Sequence, residues 1–404
     1  MAHPRTHSAA PILLLAALLP MLSCAESTPR PAAVSPSPPG RTPRLALWLA
    51  DKDELTGHPS AAYDLVMTAW FEPGEAAAIR ARRPSACLLA GLTSHWILEH
   101  PGWLEFLLTV ANGGDAAGPL QITDEMFLTF DDDGDGQADR RCSPPGWEDL
   151  YAMDPRSSRW RELILSFYGT VAGQEQHDGV IVDMVDAYPF CDGARSGDVP
   201  DPISSGAWVK AQDELLDLIR ARVPEGKWII ANAGRDFPAG SPFPRHVNGY
   251  VLENFLGDWG AGLAEGLASA QRALVTTHSP HLVIFAVDTD DTGMADERRF
   301  HTGLAASLLM DNTYFAFDSG PRDHGGVADW WRPVYDQIIL GMPDGPYNFN
   351  DGVYRREFER GTVVLAVGEG VRISLSASHI DALSGDTGTV FDVPPGDARI
   401  LIRS

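Results

Sequence analysis

The sequence predicts a (β/α)8 TIM-type barrel followed by a small C-terminal antiparallel β domain. Three observations predict it. Eight short apolar runs recur between residues 44 and 345, and helix-like segments separate them. Several runs are apolar without alternation, as strands are when helices cover a parallel sheet. From about Val363 the text changes to shorter strand-like runs divided by glycine and proline.

In chain order, residues 1–24 read as a lipoprotein-type signal peptide. Arg5 supplies positive charge, and Ile12 to Leu22 is an apolar run broken by Pro20. Met21-Leu22-Ser23-Cys24 resembles a lipobox, which makes Cys24 the candidate lipidation site, although Leu22 stands where a small residue is usual. The competing expectation is an ordinary secretory peptide with an incidental cysteine. The apolar run is short for a membrane span, so membrane contact is expected through a lipid anchor only. The expected location is the cell envelope or the extracellular space, as an anchored bacterial lipoprotein. Residues 25–43 form a Pro/Ser-rich tether, with Pro29, Pro31, Pro36, Pro38, Pro39 and Pro43 favouring extended chain.

The barrel is expected over residues 44–345. Its strand candidates are Leu45–Leu49, Leu65–Thr68, Cys87–Gly91, Val180–Asp183, Trp228–Asn232, Tyr250–Glu253, Leu282–Val287 and Thr313–Phe317. Helices are expected over Pro73–Arg83, Trp160–Val171, Ala207–Val223, Leu263–Leu274 and Glu297–Met310. Pro73 suits a first helical position, and Ser157 or Ser158 is placed to cap the helix near Trp160. The rival, an open doubly wound sheet, lacks a glycine fingerprint after the first strand. The third crossover, Leu92 to Asp178, is too long for a bare loop. It predicts a helix near Pro101–Val110 and an inserted hairpin near residues 121–145. Residues 346–404 form the β domain. Cys87 reads as a small buried residue. Cys142 and Cys191, in loops before and after the fourth strand, are the candidate disulfide.

The formal net charge is -24, from 31 basic and 55 acidic residues. Such a field repels phosphate backbones, so nucleic acid is excluded as a partner, and an acidic polysaccharide fits less well than a neutral or amino-sugar polymer. Chemistry in this fold gathers where barrel strands end. The fourth strand runs into Asp183 and Asp186, and the sixth runs into Glu253. Glycosidic hydrolysis needs two carboxyl groups, one to protonate the leaving oxygen and one to activate water or attack the anomeric carbon. Asp183 and Glu253 are the preferred pair, with Glu253 the proton donor and Asp186 the rival to Asp183. The bland alternative for any one such aspartate is a helix cap. Asp51, Asn232, Asp288 and Asp318 are candidate contacts to sugar hydroxyls. The chain has 11 tryptophans, and Trp70, Trp96 and Tyr188 near strand ends are candidate stacking faces for pyranose rings. Any single one is more often packing than platform.

These residues carry a family resemblance. Tyr63-Asp64-Leu65-Val66, Met126-Phe127-Leu128-Thr129-Phe130, Met153-Asp154-Pro155 with Trp160-Arg161, Asp178-Gly179-Val180-Ile181-Val182-Asp183, Gly249-Tyr250-Val251-Leu252-Glu253 and the stretch Tyr354 to Gly361 occur in order. Together they resemble the glycoside-hydrolase-like (β/α)8 barrel families related to the endo-α-1,4-polygalactosaminidase group. The resemblance spans Leu45 to the C-terminus and rests on order rather than on one motif. It implies a catalytic aspartate at Asp183 and a catalytic glutamate at Glu253. The acidic run in the hairpin departs from it.

That run, Asp131 to Asp139, has calcium-loop spacing, with Asp131, Asp133, Asp135, Gln137 and Asp139 as candidate ligands and Gly136 at the sharp turn. Cys142 stands where an EF-hand glutamate belongs, so the expectation is a looser structural Ca2+ loop, weighed against a solvated acidic turn. No cofactor is expected for catalysis. Histidine and cysteine spacings do not fit zinc, and a nucleophile elbow is absent. The function expected is therefore an exported glycoside hydrolase acting on a poly- or oligosaccharide. The alternatives are a non-catalytic surface glycan-binding lipoprotein and a calcium-assisted phosphoesterase. Sugar identity, linkage, endo or exo action, stereochemistry and oligomeric state are not written in the sequence.

Overall fold

The structure is a computed structural model that describes residues 43–48, 62–145, 147, 149–189, 191, 203–290, 292, 294, 296–318 and 331–404. The signal peptide, Cys24, nearly all of the tether, and Asp51 lie outside the described residues.

Eight parallel strands form the barrel: β1 (Ala46–Leu47), β2 (Leu65–Thr68), β3 (Cys87–Ala90), β4 (Gly179–Val182), β5 (Trp228–Asn232), β6 (Gly249–Leu252), β7 (Leu282–Val287) and β8 (Thr313–Phe317). They pair in chain order, and a parallel bridge from Leu45 to Phe315 brings the last strand back to the first. Successive residues of each strand enter two different cores, as a pleat of period two requires. Met67, Leu89, Ile181, Ile230, Val251, Ile284 and Ala316 fill the barrel interior. Val66, Leu88, Val182, Ile229, Leu252, Phe285 and Phe317 pack outward on the helices. Both faces are therefore apolar, which explains why the runs do not alternate.

Among the described residues, six helices and one short turn of helix cover the outside: α1 (Pro73–Arg82), α2 (Pro101–Ala111), α3 (Ser158–Gly173), α4 (Ser205–Arg222), α5 (Leu263–Thr276), α6 (Glu297–Leu309) and α7 (Val334–Gln337). Their starts are chemically marked. Ser157 caps α3, Ser204 caps α4 and Asp296 caps α6, each accepting a first-turn backbone N–H.

One device repeats at the lower end of the barrel. Each even-numbered strand is preceded by Asp or Asn. Asp64 accepts the Leu45 N–H, Asp178 the Leu88 N–H and Asn248 the Ile229 N–H, so each ties the strand before it. An arginine closes each: Arg83 on Asp64, Arg80 on Asp178 and Arg220 on Asn248. Arg44 does the same for Asn312, ahead of β8.

The third crossover carries α2, then an insert. Within it a hairpin pairs Thr129–Phe130 with Arg140–Arg141, and Trp96–Leu98 pairs with Leu150–Ala152. Cys142 and Cys191 form a disulfide, with 5.0 Å between their α-carbons, that ties this insert to the loop after β4. Cys87 is buried and unpaired.

The C-terminal sheet has six antiparallel strands, β9 (Asn348–Asn350), β10 (Val353–Phe358), β11 (Gly361–Ala366), β12 (Val371–Asp381), β13 (Thr387–Val393) and β14 (Asp397–Arg403), in the order β9-β10-β11-β14-β12-β13. It packs on the flank of the barrel rather than beneath it. Val363, Leu365, Ala398 and Ile400 join the main core, and Thr302 of α6 donates to the Gly396 carbonyl. Arg356, 4% exposed, reaches the Leu308 carbonyl and Asp311 at the end of α6. Among the described residues no helix is long and apolar enough to cross a membrane.

Candidate active site

The alternation that builds the barrel interior also builds the site. Continuing the inward-facing positions one step past the last apolar layer leads from Ile181 to Asp183, from Ile230 to Asn232, from Val251 to Glu253, from Ala286 to Asp288 and from Ala316 to Asp318. The uppermost inward layer is therefore polar, and it lies at the strand ends where barrel chemistry sits. Trp48 takes the same parity on β1.

Asn232 joins the two principal carboxylates. Its Nδ2 donates to Asp183 Oδ1 at 2.8 Å and to Glu253 Oε2 at 2.7 Å. Those two oxygens are thus no further apart than the two bonds laid end to end. The Asn232 Oδ1 is held in turn by the Gly234 N–H at 2.8 Å, which orients the amide. Asp183 Oδ1 also accepts the Met184 N–H at 2.9 Å, and the Trp48 indole N–H reaches Glu253 Oε1 at 3.4 Å. The chain turns sharply after each carboxylate. Met184 (φ 53°) and Asn254 (φ 47°) adopt left-handed backbone. Asparagine tolerates this, but for methionine it costs of order 1 kcal/mol, strain of the kind that collects at functional sites.

Glu253, Trp48, Asp288 and Asp318 line one pocket with Asn254 and Phe317. Asp288 Oδ1 accepts the Asp290 N–H at 2.8 Å. Asp290 receives Arg299 at 2.6 Å and the Asn254 side chain at 3.1 Å, fastening the loop after β6 to the loop after β7. Asp186 stands behind the pair. Burial pushes its carboxyl well above the usual carboxylate range, the charges of Asp183 and Glu253 push the same way, and the Trp96 indole N–H opposes them.

Tyr188 is 43% exposed on the loop after β4, and Trp259, not singled out as a contact, is 50% exposed on the loop after β6. Gly260, beside Trp259, abuts the Glu253 and Asn254 backbone so closely that no Cβ would fit. Trp96 is fully buried and shows no face to a ligand. Trp70 packs edge-on against Phe106 and His177 and donates to Glu72 at 3.1 Å, away from the carboxylate group. In the acidic hairpin, carboxylate oxygens of Asp131, Asp133 and Asp139 lie within 4.8 Å of one another, an exposed cluster that could hold a metal ion. Asp135 instead accepts the Gln137 backbone N–H and side-chain amide at 2.8 and 3.2 Å, and neither residue joins the cluster. Sequence reasoning missed the bridging role of Asn232 and the presence of His95 behind Asp186. The parity of Asn232 on β5 was the available signal for the first. The second had none, since His95 follows β3 on an irregular turn.

The family model described as hypothetical glycosyl hydrolase family 15 matches residues 127–362, more than half of the chain, including both Asp183 and Glu253. Comparison with curated proteins gives no match. Among solved structures, the isomalto-dextranase of Arthrobacter globiformis in complex with panose aligns with a TM-score of 0.50 at 12% identity, covering 94% of this chain and 76% of that one. At that identity the likeness shows the fold alone. The cyclic α-maltosyl-(1→6)-maltose hydrolase of Arthrobacter globiformis aligns with a TM-score of 0.47 at 14% identity over 93% of this chain and 94% of that one. An Aspergillus fumigatus protein in complex with galactosamine gives 0.43 at 11% identity over 71% and 94%. These last two are too distant to carry an argument.

Proposed function

The chain belongs to the hypothetical glycosyl hydrolase family 15, and from that membership we propose that it hydrolyses glycosidic bonds of a poly- or oligosaccharide, with Asp183 as nucleophile and Glu253 as acid and base. The observation that carries this reading is the shared donor Asn232, at 2.8 and 2.7 Å from the two carboxylates. Carboxyl groups about 5 Å apart suit the retaining mechanism, whereas an inverting enzyme separates them further to admit a water. Glu253 gives its proton to the leaving glycosidic oxygen as Asp183 attacks the anomeric carbon, and a glycosyl ester forms. Glu253, now a carboxylate, takes a proton from water, whose oxygen attacks the same carbon and releases Asp183. Asp288 and Asp318 line a pocket with Glu253 and Trp48, which supports contacts from the two aspartates to sugar hydroxyls. Tyr188 and Trp259 offer exposed aromatic faces on neighbouring loops.

The overall acidity favours a neutral or amino-sugar polymer, in keeping with the resemblance to the polygalactosaminidase group. Export as a lipid-anchored protein rests on residues 1–24, and structural calcium on Asp131, Asp133 and Asp139. The test is release of new reducing ends from a panel of neutral and amino-sugar polymers, with the product anomer followed by NMR. Glu253→Gln and Asp183→Asn are expected to lower turnover by about 10²–10⁴-fold, the range for acid–base groups, at an unchanged unfolding midpoint, and the wild type to retain configuration. Ordinary turnover in both variants sinks the assignment. Saccharide binding without new ends would favour the non-catalytic alternative.

A further inference from the structure

Among the described residues, three buried polar atoms beside the carboxylate pair have no hydrogen-bond partner: His95 Nε2, Trp96 Nε1 and Asp186 Oδ2. They converge. His95 Nε2 lies 4.0 Å from Asp186 Oδ2, and the Trp96 indole N–H acts on the same carboxyl. Native folds seldom leave such atoms unpaired, and three in one place call for a cause.

Their backing is rigid. Thr93 Oγ1 accepts the Trp96 N–H at 2.6 Å and the His95 N–H at 3.1 Å, closing the turn after β3, and a parallel bridge joins Thr93 to Asp183. Trp208 of α4 packs edge-on against His95 at 5.0 Å and donates to the Asp186 backbone carbonyl at 3.0 Å. Asp186 thus has aromatic rings packed beside it, and the charges of Asp183, after β4, and Glu253, after β6, act on its carboxyl. His95 supplies no countercharge, because burial lowers it from 6.5 to about 3 and keeps the imidazole neutral. A carboxyl group with a buried, unpartnered oxygen, two other carboxyl groups acting on it and no cation among its described contacts keeps its proton rather than ionising near neutrality.

We propose that Asp186 is a positioning residue for the hydrolytic pair and holds a proton of its own at neutral pH, separate from the one Glu253 delivers, with neutral His95 and the rings of Trp96 and Trp208 as its dry backing. A neutral third carboxyl spares Asp183 a second adjacent anion while remaining available as a hydrogen-bond donor beside it. The role in positioning rests on the hydrolase reading, but the location of the proton does not require a substrate.

Infrared difference spectroscopy on the full chain tests this. A carbonyl stretch of a protonated carboxylic acid belonging to Asp186 is expected in the wild type at neutral pH, beside that of the Glu253 acid; it should be lost in Asp186→Asn and persist in Asp183→Asn and Glu253→Gln. In each of those two variants the titration midpoint of the band should fall, because one neighbouring anion has gone. A wild type without such a band, or one whose only band survives Asp186→Asn and vanishes in Glu253→Gln, overturns the proposal. If Asp186→Asn does not fold, the other two variants decide: an unchanged midpoint in both is equally fatal. The band with no new reducing ends from any polymer would refute the hydrolase reading alone, and reducing ends without the band would refute this one alone.

Discussion

The two ends of the barrel use the same residue types for opposite ends. At the lower end Asp64, Asp178, Asn248 and Asn312 each precede an even-numbered strand, and each meets an arginine. At the upper end Asp183 and Glu253 follow their strands, and the donors described on them include the Asn232 amide, the Met184 backbone N–H and the Trp48 indole. A carboxylate closed by a guanidinium and by the N–H of a neighbouring strand is committed to structure. A carboxyl group set past the strand end in a polar, partly buried layer is placed where a ligand can reach it. What separates the two is the position relative to the strand, not the amino acid.

That contrast can be broken from either side. The largest effect on folding is expected at the lower end. Asp64→Ala leaves Arg83 uncompensated beside a buried site and frees the Leu45 N–H, at a cost of about 3 kcal/mol or more for breaking a buried pair. Urea unfolding would show it as a lower midpoint, with turnover per folded molecule unchanged. At the upper end Asn232→Ala removes the shared donor. Turnover is expected to fall by roughly 10²-fold, the scale of a small misplacement of reacting groups, with little change in the urea midpoint. If Asn232→Ala unfolds the protein while Asp64→Ala abolishes chemistry, the contrast is reversed.

The smallest effect is in pH dependence. His177, next to Asp178, accepts the Phe71 N–H on Nε2, and its Nδ1 meets the Val171 carbonyl. Burial lowers it from 6.5 to about 4. The unfolded chain binds this proton first, so stability is complete above pH 6.5 and declines as pH falls from 6.5 towards about 4. His177→Asn, which keeps a donor and an acceptor but does not titrate there, should flatten that part of the curve of urea midpoint against pH. A slope identical to wild type would show that His177 is not the group responsible. His95 adds a term of the same sign, reaching down to about 3.

Much of the barrel was readable because its signal is local. β2, β5, β7 and β8 begin and end where the apolar runs do. At β4 and β6 the strands start one residue earlier, at Gly179 and Gly249, because those glycines still pair with Trp228 and with Leu282. They stop before Asp183 and Glu253, where the left-handed residues Met184 and Asn254 follow. The aromatics were less readable. Trp70, Trp96 and Tyr188 all follow strands, yet one packs edge-on between Phe106 and His177, one is sealed inside, and one is exposed. A flat hydrophobic ring suits all three settings, and sequence distance from a strand does not specify which way a loop turns it.

By itself, the sequence determined the strands, their order, and which acidic residues stand at the upper ends, since apolar runs and their terminating residues are properties of neighbouring positions. Only the tertiary structure decided that Asn232 links Asp183 to Glu253, that Asp186 is backed by His95 and Trp96, and that the C-terminal sheet rests on α6. Each of these joins residues far apart in the chain, and such contacts are set by how the strands close and the loops pack, a choice that no short stretch of sequence contains.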